Sequence, residues 1–166
     1  MNTSDAINLV YENLEGYEDL ASYHDRHGTP SLLILTQHSP KIAQETARMM
    51  SQKIKDKVVV EIGAGVGFLA IEMCRYAKKV FAIEADPAWS WIFTKSLYAH
   101  KPKNLTWIFG SADELVNLIF ADVAVIVTRS GKKEMEAIGK KFADEVFFPL
   151  DEIKADIGER EKSDGR

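Results

Sequence analysis

The chain has 166 residues, enough for one domain with a sizeable core, and its 46% hydrophobic and 28% charged content is ordinary for a globular protein. A formal net charge of −4 argues against a surface that embraces nucleic acid globally, because phosphate binding needs a positive face, but it leaves room for a local basic patch. The single cysteine, Cys74, rules out an internal disulfide and fits a reducing compartment. With no apolar stretch of membrane-spanning length and no signal-like start in Met1 to Asp5, a cytoplasmic protein without membrane contact is expected.

In chain order, Ile7, Val10, Tyr11, Leu14, Tyr17 and Leu20 recur at helical spacing after Ser4, a candidate cap. Residues 1–36 are read as an N-terminal helical segment that lids a site or packs on a partner. His24 to Pro30 breaks it into a loop, and Leu32 to Leu35 is a short apolar run. His24 and His27 have no further histidine or cysteine nearby to complete a ligand set, so no metal is assigned. Ser39 caps a second helix with Pro40 in its first turn, and Ile42, Ala43, Ala47, Met50 and Ile54 mark its buried face.

From Lys57 onward strands and helices alternate. The pattern predicts strands at 57–62, 79–84, 104–109, 122–128 and 145–149, and helices at 66–77, 87–100, 112–119 and 131–142. Such alternation means parallel strands joined by right-handed crossovers: a doubly wound α/β sheet of order 3-2-1-4-5, with its ligand at the carboxyl ends of the strands beside the switch point. This domain is placed at 37–150. Ten of the sixteen residues from Asp151 to Arg166 are charged, so 151–166 is read as a charged tail that cannot supply buried strands. The fifth strand, with Val146, Phe147 and Phe148, is then an edge. Either a second subunit, giving a homodimer or other homo-oligomer, or the N-terminal helices should cover it.

Val58-Val59-Val60-Glu61-Ile62-Gly63-Ala64-Gly65-Val66-Gly67-Phe68-Leu69 carries the strongest functional signal. A β-branched run ends at an acid, three glycines follow at i, i+2 and i+4, and helical spacing starts at once. That is a buried strand, a tight turn and a helix start, which bring backbone close to a nucleotide. Twenty-one residues after Gly63 a second apolar run ends in Glu84, placed to accept from a ribose. A dinucleotide fingerprint needs a glycine five residues after Gly63, where Phe68 stands, and Glu61 would repel a pyrophosphate. A nicotinamide dehydrogenase is therefore disfavoured.

These residues resemble class I S-adenosylmethionine-dependent methyltransferases, whose first motif reads E-x-G-x-G-x-G and whose second is an acid ending the next strand. The resemblance implies S-adenosylmethionine as cofactor, a cationic sulfur nucleoside without phosphate. It assigns Glu61 to the methionine end, Gly63, Ala64, Gly65 and Gly67 to close backbone approach, and Glu84 to the ribose hydroxyls. Ala85 then lies against adenine, with Asp86 beside it as cofactor ligand or helix cap. In the third motif, Phe109-Gly110-Ser111-Ala112-Asp113, Ser111, Ala112 and Asp113 are candidates at the adenine, and Asp113 is equally a cap. Leu35 to Ala43 is similar to the segment ahead of the first motif in ribosomal RNA adenine dimethyltransferases, which makes Gln37 and His38 cofactor candidates or plain loop.

The likeness stops at the fourth motif. Ala124 to Gly131 has no Asn-Pro-Pro-Tyr type sequence, so Thr128 and Arg129 stand where a substrate would meet the chain, with no catalytic residue assigned. The usual terminal antiparallel hairpin is not expected from the charged residues 151–166 either. The expected function is methyl transfer to an unidentified acceptor; a non-catalytic cofactor-binding accessory subunit is the alternative.

Overall fold

A computed structural model describes residues 40–87, 89, 94, 102–127 and 131–149, and the fold is that of these residues. The helical segment 1–36, Gln37, His38, the Thr128–Ser130 stretch and the tail 151–166 lie outside them.

Helix α1 spans Pro40–Met49 and α2 spans Ser51–Ile54. One continuous helix is expected from the sequence; it breaks at Met50 (φ −84°, ψ 1°), although Met50 still donates to Thr46 and accepts from Lys53 and Ile54. Ala43, Ala47, Met50 and Ile54 remain on one buried face across the break. Strand β1 (Val58–Ile62) follows, then α3 (Phe68–Met73) and β2 (Lys79–Glu84). Between β2 and β3 (Leu105–Phe109), Pro87, Trp89 and Thr94 are helical. Helix α4 (Ala112–Leu115), β4 (Val123–Ile126), α5 (Lys132–Gly139) and β5 (Glu145–Phe147) complete the order.

The five strands form one parallel sheet in the order β3-β2-β1-β4-β5, as the alternation predicts. β1 lies at its centre, and four of its five residues are buried, because helices cover a parallel sheet on both faces. Alternation sorts its side chains. Val59, with Val80, Ala82, Val123 and Val125, packs under α1, α2 and α3. Val60 and Ile62, with Ile83, Ala124 and Ile126, pack on the other face against Phe142, Met135 and Ile138.

The helices are shorter than the sequence predicts, for local reasons. Val66 and Gly67 belong to the glycine turn, so α3 begins at Phe68 behind a left-handed Gly67. Its last turn tightens through i→i+3 bonds (Arg75 N–H to Glu72, Tyr76 N–H to Met73), and Asn104 Nδ2 donates to the Cys74 and Ala77 carbonyls at 2.9 Å each. α4 stops after one turn because Asn117 turns left-handed (φ 70°), a conformation asparagine tolerates. Asp122 starts β4 by clasping Val58: its N–H donates to the Val58 carbonyl (2.8 Å) and its Oδ2 accepts from the Val58 N–H (2.7 Å).

Among the described residues, the apolar residues at β5 have neighbours, Phe147 being buried and Val146 and Phe148 half-buried. Phe147 is buried with the Lys53 ammonium 4.4 Å above its ring, and Phe148 lies under Lys132 at 4.7 Å. Val146 packs beneath Gly139, where an added Cβ would stand 3.0 Å from Val146 Cγ1 and 3.0 Å from Ile126 Cδ1. Both Val146 methyls face that position, and a β-branched side chain has little rotamer freedom to yield. Gly139→Ala should therefore lower stability by about 1–3 kcal/mol, despite alanine's better helix propensity. Urea unfolding measures it, and a variant at least as stable as wild type would refute the tight contact.

Candidate cofactor site

The site starts where β1 ends. Gly63 (φ 75°), Gly65 (φ 56°) and Gly67 (φ 79°) are all left-handed, a region that costs a residue with a Cβ about 1–2 kcal/mol. A Cβ on Gly63 or Gly65 would meet nothing within 4 Å among the described residues, so a side chain there would project into the hollow they leave above the turn. The turn is pinned from below. The amides of Gly63 and Ala64 both donate to the Ile83 carbonyl at 2.9 Å, and the Gly67 amide returns to the Ala64 carbonyl at 2.9 Å.

Glu84 ties three strand ends together. Its Oε2 accepts from the Gly65 N–H and its Oε1 from the Asp86 N–H, each at 2.7 Å, while its main-chain carbonyl accepts from Gly110 N–H at 3.0 Å. Lengths of 2.7 Å are those of charge-assisted bonds. Burial nevertheless raises the Glu84 pKa on balance, against the pull of these amides. Two bonds leave lone pairs on the carboxylate for further donors.

Glu61 sits deeper. It is only 2% exposed, and its Oε2 has no hydrogen-bond partner among the described residues. Strand alternation places it on the same face as Glu84. Burial first, and then the neighbouring Glu84 charge, push its pKa well above the usual carboxylate range. Two buried acids thus share one end of the sheet, the arrangement that favours a cation.

The structure brings Glu61, Gly63, Ala64, Gly65, Gly67, Glu84, Ala85 and Asp86 together, and the Gly110 bond draws in the start of the Ser111–Ala112 segment. Ser111 is the N-cap of α4 by conformation, but its side chain makes no capping bond. Asp113 is not the cap. It is an exposed first-turn residue paired with Lys141 at 3.5 Å, on a helix whose Ala112 and Leu115 pack against the opposite face of the sheet from Glu61. Cys74 is no nucleophile: burial pushes its thiol up to about 12, and it donates to the Ala70 carbonyl at 3.2 Å.

Phe109 has no assigned role in the sequence reading. It pairs in register with Glu84 at the end of β3 and is 55% exposed, an apolar ring beside the acid. The signal is its place at the carboxyl end of an edge strand, directly ahead of Gly110.

Residues 32–135 match the TRM5/TYW2 methyltransferase domain family. No curated protein matches the chain. Solved structures with this fold include M. jannaschii TYW2 in complex with AdoMet, at 21% identity and a TM-score of 0.53 over 60% of this chain and 47% of that one. Trm5b from Pyrococcus abyssi aligns at 24% identity and 0.54, over 63% and 31%. Precorrin-6y C5,15-methyltransferase from Geobacter metallireducens aligns at 21% and 0.51, over 64% and 57%. The chain spans less than two thirds of the length of each, and at these identities the likeness is one of fold. The family match covers more than half of the chain and includes both strand-end acids and the glycine turn between them, so this chain belongs to the TRM5/TYW2 methyltransferase domain family, whose cofactor is S-adenosylmethionine.

Proposed function

We propose that the chain transfers a methyl group from S-adenosylmethionine to an RNA acceptor. The observation that carries the reading is the pair of buried carboxylates, Glu61 with an oxygen unpartnered among the described residues and Glu84 clasping Gly65, beneath a glycine turn whose outer side no described residue fills. These residues fit the cofactor: two acids suit a cationic amino acid and its sulfonium, and Gly63 and Gly65 leave a hollow among the described residues that a Cβ would invade. The RNA acceptor rests on the family and on the names of its relatives, TYW2 and the tRNA m1G37 methyltransferase of M. jannaschii.

In this reading Glu61 holds the ammonium of the methionine end and Glu84 accepts from the ribose hydroxyls. Gly63, Ala64, Gly65 and Gly67 bring backbone against the nucleoside. Ala85, Asp86, Ser111 and Ala112 border the adenine, with the Phe109 ring offering it an apolar surface. Gln37 and His38 flank the cofactor, and Thr128 and Arg129 meet the acceptor. S-adenosylmethionine supplies a methyl already activated on a sulfonium. The chain's task is to hold the acceptor in line with it, and positioning alone contributes about 7–11 kcal/mol in the best intramolecular cases.

The test is incubation of the full chain with total tRNA and methyl-labelled S-adenosylmethionine. Label in RNA, with S-adenosylhomocysteine formed in equal amount, is expected. The absence of Asn-Pro-Pro-Tyr after β4 favours a second reading, an accessory subunit. Cofactor binding with no S-adenosylhomocysteine from RNA, protein or small-molecule extracts would establish that one instead.

A further inference from the structure

At the end of the sheet opposite the glycine turn, three loops are stitched into one surface. Asp56 N–H donates to the Tyr76 carbonyl (3.0 Å), Lys78 N–H to the Lys57 carbonyl (2.9 Å), and Val80 N–H to the Asn104 carbonyl (2.9 Å). Asn104 in turn holds the Cys74 and Ala77 carbonyls. These contacts gather Lys55, Lys57, Arg75, Lys78, Lys79 and Lys103 at the amino ends of β1, β2 and β3. Some are committed: Lys57 to Glu145 at 3.1 Å, Arg75 to Glu72 at 2.7 Å, and Lys79 over the Phe81 ring at 5.5 Å. Lys55, Lys78 and Lys103 are exposed and have no ion pair among the described residues; the acids beside them are Asp56 and Asp122, whose carboxylate accepts from the Val58 N–H at 2.7 Å. In a chain of net charge −4, these loops carry more lysines than acids, and the three lysines stay unpaired among the described residues.

We infer that this surface, centred on Lys55, Lys78 and Lys103, is a second contact for the acceptor RNA and binds its phosphate backbone away from the methyl-transfer site. The inference rests on the RNA reading above and specifies where on the chain the RNA is held. Lysine ammonium groups on three loops suit phosphates and carry no base selectivity. The five residues of β1 separate the two ends of the sheet by roughly 17 Å. A partner touching both must be an extended macromolecule, which suits a folded RNA and excludes a mononucleotide.

The test compares the full chain with the triple variant Lys55→Gln, Lys78→Gln, Lys103→Gln. All three side chains are exposed, so thermal unfolding and S-adenosylmethionine affinity should match wild type and report an intact fold. Affinity for total tRNA, read by fluorescence anisotropy between 50 and 200 mM salt, should fall at least about tenfold at the low end. The slope of log affinity against log salt should shrink by about two to three, one counterion for each lost contact. Unaltered tRNA affinity and slope would overturn the surface while leaving the RNA reading intact. A wild-type chain that binds no tRNA at any salt would overturn both. Binding to phosphatidylserine vesicles without tRNA binding would assign the patch to a membrane and likewise overturn the inference.

Discussion

Glu84→Ala should weaken S-adenosylmethionine binding by about 1–3 kcal/mol, a five- to 150-fold rise in Kd measured by calorimetry, as for other hydrogen bonds to a charged group. The loss has two sources. On the proposed site, the ribose hydroxyls lose their acceptor, and the glycine turn loses its clasp, because Gly65 and Asp86 each donate to this carboxylate at 2.7 Å. The second source predicts a fall in folding stability as well, so unfolding must be measured alongside binding. Glu84→Gln separates the two: its amide oxygen can still accept one of the two amides, so stability should recover in part while cofactor affinity stays low. An unchanged Kd in Glu84→Ala would place the cofactor elsewhere.

Replacement of Glu61 by glutamine should act in opposite directions on stability and on binding. The folded-state pKa of Glu61 is raised well above its ordinary 4.5, so the native chain holds this proton more tightly than the unfolded chain does. The group's contribution to stability is therefore fully present below pH 4.5. It is lost at about 1.4 kcal/mol per pH unit as pH rises toward the folded pKa, and is constant above that. Glutamine mimics the protonated form at every pH. Glu61→Gln should match wild type near pH 4 and be the more stable protein at neutral pH, with a smaller residual slope from Glu84, whose pKa is also raised. If Glu61 holds the ammonium as proposed, cofactor affinity should move the other way, falling by about 1.5–3 kcal/mol as that negative charge is removed. Unfolding titrations from pH 4 to 8 that superimpose for the two proteins would show that Glu61 does not carry this strain.

The sheet was legible in the sequence because its signal is physical and local. Val58-Val59-Val60 and Val80-Phe81-Ala82-Ile83 are too short and too apolar for anything but buried strands, and each is followed by turn chemistry that leads into a helix. Right-handed crossovers then make the sheet doubly wound, and 3-2-1-4-5 is one of the common orders of such a sheet. Helix ends were not legible, because distant groups set them. Asn104 closes α3 from thirty residues away, and Asn117 stops α4 through a backbone angle that no periodicity reveals. The site divides in the same way. The glycines and both acids stand out by spacing, whereas the bond from Gly65 to Glu84 joins residues nineteen apart and becomes visible only when β1 and β2 lie side by side. Asp113 resisted assignment for a related reason: its partner Lys141 is brought near by the packing of α4 against the second face.

Glu84 grips the first turn with one oxygen, its own following residue with the other, and the loop after β3 with its carbonyl. Three loops that would otherwise fluctuate independently are thereby yoked to a single residue. Any guest that draws on that carboxylate tugs on all of them together, so the mouth of the pocket should respond as one latch and not as three separate flaps.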